Sequence, residues 1–153
     1  MIAPRALGAV LMVGLCVAGA AGADEPVGPR LPEHLRGLLQ QEMIAIAGAS
    51  HEILDALVTG HDEVVAERAQ AIHDSFIMQQ TLTEADRQTL KSTLPPEFMS
   101  LDRQLHATAA ALAEAARRDD RLESHARFAE MIEACRSCHA RFATNRFPDF
   151  TAD

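Results

Sequence analysis

The chain has 153 residues and a formal net charge of −8, and 48% of its residues are hydrophobic although none is tyrosine or tryptophan. The acidic balance excludes a nucleic-acid partner, since phosphate binding needs a basic face. Abundant alanine and little β-branched alternation predict an all-α chain.

The first 23 residues read as a secretory signal: Arg5 supplies the positive start, an apolar run covers 6–20, and Ala21-Gly22-Ala23 gives the small-x-small cleavage pattern. Cys16 lies in the apolar run and is preceded by Leu15 rather than a small residue, which argues against lipid attachment. The run is short for a transmembrane span and no later stretch replaces it, so the expectation is a soluble, exported, periplasmic protein. Arg5 is the only charged residue that cleavage removes, so residues 24–153 are more acidic still. Their length suits a single domain with a real core.

Four helices are predicted. The first spans Glu33–Thr59, with Leu35, Leu39, Met43, Ile46, Ile53 and Leu57 on one face, Pro32 at its start and Gly60 at its end. The second spans 62–82 with Val65, Ala69, Ile72, Phe76 and Ile77 on its apolar side. Thr83 with Asp86 three residues on resembles a capping box for a short helical turn, and Pro95-Pro96 breaks the chain. The third spans 96–118 and displays Met99, Leu101, Leu105, Thr108 and Leu112. Asp119-Asp120 then provides a tight connection and a cap. The fourth spans 121–146, ahead of Pro148, with Leu122, Phe128, Met131, Ile132 and Phe142 along its stripe. Short connections between long amphipathic helices imply antiparallel neighbours, hence an up-down-up-down four-helix bundle.

The last helix carries Cys135-Arg136-Ser137-Cys138-His139, a C-x-x-C-H motif. Covalent haem attachment needs this set: each thiol adds to one vinyl group and the imidazole takes an axial iron position. On a helix, residues three and four apart share a face, so both cysteines and His139 point at one porphyrin. A redox dithiol of the thioredoxin type belongs beside a βαβ pattern, which is missing. A zinc site needs four ligands, and no second cysteine pair or spaced histidine pair supplies them. Removing the signal leaves Cys135 and Cys138 as the only cysteines, and haem thioethers consume both.

With that motif on the last of four helices, the chain resembles the cytochrome c-prime family, the class II c-type cytochromes. The resemblance covers the mature chain and implies one covalently bound haem c, a four-helix bundle, and a homodimer joined through the first two helices. It also implies a split at the sixth iron position: some members hold a helix-one methionine and carry electrons, and others are five-coordinate and bind NO or CO. No methionine follows Met131, so a protein sixth ligand must come from upstream. An ungapped comparison with five-coordinate members puts Gln40 at the distal place, and comparison with methionine-ligated members puts Met43 there. A thioether binds haem iron well, while the same Met43 on an apolar stripe also reads as core filler. Met78, Met99 and Met131 read as core.

Arg36 resembles a propionate-contacting arginine of helix one. Phe142 matches the aromatic that follows the haem motif, but Ala143 stands where a basic residue is expected, and Arg141 and Arg146 are the nearest substitutes. Arg127, Arg136, Arg141 and Arg146 crowd around the motif, either as a solvated face with propionate neutralisation or as a docking rim for an acidic redox partner. His34, His51 and His61 read as surface residues; His73, His106 and His125 could approach one another, with a surface role as the default. The reading is a periplasmic monohaem electron carrier for redox partner proteins, with His139 and Met43 on iron. It is not an enzyme, since such a role calls for no catalytic acid, base or nucleophile. The alternative is a five-coordinate NO- or CO-binding protein.

Overall fold

The computed structural model describes residues 26–150 other than Phe76, and only the backbone of Gln80; the expected signal at 1–23 lies outside them. The described residues are all-helical, with no strand among them. A 3-10 turn at Gly28–Arg30 precedes α1 (Glu33–Thr59), α2 (Asp62–Asp74), α3 (Met78–Thr81), α4 (Glu84–Thr93), α5 (Pro96–Arg117) and α6 (Arg121–Phe142). Among the described residues no helix is long and apolar enough to cross a membrane.

The helix ends follow local chemistry. Gly60 closes α1 at φ 78° and returns its N–H to the Ala56 carbonyl, a left-handed cap that a side chain would strain. Thr83 and Asp86 form a full capping box at the start of α4. Leu94, ahead of Pro95, is extended, which ends α4, and Pro96 occupies the first turn of α5. Asp120 caps α6 by accepting the Glu123 N–H at 3.1 Å.

Two ends depart from the sequence expectation. The second helix stops at Asp74 instead of reaching residue 82, because Ser75 turns to φ 62° and α1 captures the backbone beyond it, as described below. The last helix stops at Phe142 rather than 146: the Arg146 and Phe147 N–H groups both return to the Ala143 carbonyl, turning the chain back on itself.

The long helices pack as α1 on α2, α2 on α5 and α5 on α6, while α1 and α6 touch only sparingly. Two apolar clusters result. The larger holds Ile46, Ile53, Val65, Ile72, Leu112 and Met131, with Ala66, Ala69, Ala109, Ala113 and Ala116 among its small residues. Small side chains let two helix backbones approach closely. The second cluster, around Leu35, Leu90, Leu94 and Phe142, takes in Leu39, Met78, Leu82, Phe98, Met99 and Cys138 at its edge. Leu122 and Ile132, expected on the α6 stripe, are instead 86% and 46% exposed. With Met131 fully buried, Ile132 is rotated about 100° away from the core by the helical repeat.

Candidate functional site

A cavity of about 240 Å³ lies where the two clusters meet, walled by Leu39, Glu42 and Met43 of α1, Ser75, Met78 and Leu82 of the next segment, and Phe98, Met99, Asp102 and His106 of α5. Pockets that hold drug-sized ligands run from roughly 300 Å³ upward, so a larger group would spread these walls. Met43 is half-buried and faces this space, whereas Gln40, one turn earlier, is exposed. The helical repeat places them there, since Met43 continues the inward row Leu35, Leu39, Ile46.

Cys135, Cys138 and His139 are half-buried on successive turns of α6, and both thiols are free. Cys138 packs into the cluster that supplies Phe98, Met99 and Leu39 to the cavity wall. Burial pushes its thiol up to about 11, with the nearby Asp102 carboxylate and Cys135 adding to the effect. Burial likewise raises Cys135. Both shifts run opposite to those of a redox dithiol, whose nucleophilic cysteine is depressed. Burial lowers the His139 pKa and so favours the neutral ring that ligates metal. That ring stacks on Phe147, centroids 4.5 Å apart and planes 16° apart, and Phe147 in turn meets Phe150 edge-on at 6.1 Å. None of Cys135, Cys138 and His139 lines the cavity; Cys138 packs against the cluster that supplies part of its wall.

Phe142 is buried at the end of the same helix, edge-to-face with Phe98 at 5.6 Å. Phe98 forms part of the cavity wall, so Phe142 supports that wall from behind. Arg36 is half-buried on α1 and makes no ion pair among the described residues. The arginines around the motif do not form a free basic rim. Arg127 bridges Glu123 and Glu130, Arg136 holds Glu133, and Arg141 holds Glu97. Arg146 is exposed.

Glu42, absent from the sequence-based candidates, is 2% exposed beside Met43. Its Oε1 accepts the Ser75 hydroxyl at 2.9 Å, and its Oε2 accepts the backbone N–H groups of Ile77 (2.6 Å) and Met78 (3.1 Å). A buried carboxylate must collect such donors, and here the donors come from the segment just after α2.

Of the three later histidines, His73 and His106 come together and His125 stays exposed. His73 Nδ1 donates to the His106 carbonyl at 3.0 Å, and His106 Nδ1 donates to the Ile72 carbonyl at 2.7 Å, tying α2 to α5. His106 Nε2 lies 3.8 Å from Asp102. Burial raises the Asp102 pKa, opposed by His106 and reinforced by Glu42.

Among the described residues no group of three or more His, Cys, Asp or Glu side chains could hold a bare metal ion. The donor set is of another kind: two thiols and an imidazole on one helix, of which Cys138 packs against the cluster that shares its apolar residues with a cavity faced by a thioether. That set fits a porphyrin, which brings its own four nitrogens and asks the protein only for axial ligands and anchors. No family model, curated protein or solved structure matches the chain.

Proposed function

We propose that this chain is a periplasmic monohaem c-type cytochrome of the cytochrome c-prime kind, carrying single electrons between redox partner proteins. The observation that carries the reading is the placement of Cys138, one turn from Cys135 and next to His139, in the cluster that walls the cavity faced by Met43. Cys135 and Cys138 would anchor one haem c, with His139 and Met43 as its axial ligands. Bound haem supplies a one-electron ferric/ferrous couple whose potential the ligands and surroundings tune.

The chain's own residues have defined tasks in this reading. His139 offers a neutral imidazole held by Phe147, and Met43 offers a soft donor that needs no deprotonation. Leu39, Phe98 and Met99 would keep water from a bound haem, with Phe142 packed behind Phe98. Arg36, with no anionic partner among the described residues, is the proposed propionate contact. The sparing contact between α1 and α6, the helices that carry Met43 and His139, favours a group that completes the packing between them.

The proposed architecture is an antiparallel four-helix bundle of α1, α2, α5 and α6, with α3 and α4 in the long crossover. Arg68 pairs with Glu52 nearer the α1–α2 turn, and Ser75 meets Glu42 farther from it, the order that antiparallel helices produce. Ile44, Leu54 and Val58 are exposed along α1 and would be covered by the second chain of a homodimer.

The visible spectrum tests the ligation. A low-spin spectrum with a methionine-to-iron band near the red edge, lost in Met43→Ala, is the expected result. The apolar side chains beside Met43 in the cavity wall, Leu39, Phe98 and Met99, also suit the second reading, a five-coordinate NO- or CO-binding protein in which Met43 only packs. A high-spin spectrum unchanged by the substitution would select that reading and reject electron transfer through a His/Met pair.

A further inference from the structure

Glu42 is a carboxylate 2% exposed in an all-helical core, one residue from Met43 and on the wall of the same cavity. A charge in that position is costly unless it is fully hydrogen-bonded, and removing its partners leaves the cost uncovered. Three of its bonds leave its own helix. They reach Ser75, Ile77 and Met78, between 33 and 36 residues downstream. Ser75 and Met78 are themselves cavity-wall residues, as is Glu42. The two N–H groups that Oε2 accepts stand at the start of α3, where no helical carbonyl reaches them. One side chain thus accepts from Ser75, Ile77 and Met78 among the described residues and seats α3 against α1 beside the cavity.

We propose that Glu42 is a positioning residue for the iron site, holding Ser75, Ile77 and Met78 against α1 so that the cavity wall keeps Met43 in place and leaves no room for an exogenous small ligand to displace it. The inference rests on the haem reading above, but the clamp itself is observable without haem. Ser75 contributes through its hydroxyl to Oε1, and Gln79 N–H bonds the same hydroxyl at 3.3 Å, extending the network into α3. Glutamine at position 42 keeps one carbonyl acceptor and loses the other, so it restores part of the clamp; alanine restores none.

The test compares wild type, Glu42→Gln, Glu42→Ala and Ser75→Ala as haem-loaded full chains. Amide hydrogen exchange at Ile77 and Met78 and the affinity of the ferric protein for added imidazole are both measured. Glu42→Ala is expected to speed exchange at both amides by about tenfold or more and to raise imidazole affinity by a similar factor, as loss of a buried charged acceptor implies. Glu42→Gln should fall between Glu42→Ala and wild type, and Ser75→Ala should show a smaller change of the same sign. Unchanged exchange in a folded Glu42→Ala variant overturns the clamp. Faster exchange with unchanged imidazole affinity overturns the positioning role. Should Glu42→Ala fail to fold, Ser75→Ala and Glu42→Gln decide by the same two readouts. A wild-type chain without covalent haem defeats the haem reading instead, and the exchange measurement still judges the clamp on that chain.

Discussion

Burial governs the chemistry of Cys138. A thiol raised to about 11 carries almost no thiolate at neutral pH, whereas reactive cysteines are depressed to about 3.5–7.5 by cationic or helix N-terminal surroundings. In the haem-free folded chain, iodoacetamide at pH 7.5 should therefore alkylate Cys138 roughly two orders of magnitude more slowly than the same chain in denaturant. The rate should climb about tenfold per pH unit and level off only above about 11. Fast labelling of Cys138 at neutral pH would instead favour a redox dithiol. The two cysteines and His139 stand out as a candidate site in the sequence because their C-x-x-C-H spacing, which haem attachment requires, is complete within five residues. Met43 was legible as a candidate by its inward row, and its place on the cavity wall separates it from exposed Gln40. Glu42 was not legible. A glutamate among Gln41 and Gln40 reads as solvent-facing, and its donors lie more than 30 residues away.

Helix boundaries divide along the same line. Gly60, Thr83, Pro95-Pro96 and Asp120 act through neighbours within a turn, so the ends they set were readable. The break at Ser75 has no glycine or proline to announce it; α1 imposes it through Glu42. Met78 consequently opens α3 rather than closing α2. The α4 cap yields a pH-dependent expectation. The Thr83 hydroxyl, and then the His34 ring, hold the Asp86 carboxyl down at about 2 from an ordinary 3.8. A depressed carboxyl stabilises the fold fully above its ordinary pKa and loses that contribution as pH falls through the folded value. The cap is thus complete above about pH 4 and is lost toward pH 2. Thr83→Ala removes the largest cause. It should return the Asp86 titration, followed by NMR, toward 3.8 and cost about 1 kcal/mol of stability, as loss of a threonine cap does. An unmoved Asp86 titration would contradict the assignment of the cap.

At the scale of the molecule, α2 and α5 share an alanine-lined contact, while α1 and α6 hardly meet. The all-helical class was readable from composition and periodicity, because helix-forming residues and a 3.6-residue apolar repeat act everywhere along the chain. The unequal packing of the four long helices was not, since it depends on which small residues come together across sequence separations of 40 or more, as Ala69 and Ala109 do within one cluster. A porphyrin anchored on α6 and ligated from α1 would link the two helices that otherwise touch least. The most direct measurement is the intact mass of the exported chain made together with a cytochrome maturation system. The expected result is a polypeptide beginning at Asp24 with the mass of one haem added and retained after denaturation and acid-acetone extraction. A polypeptide of unmodified mass with two free thiols would contradict it.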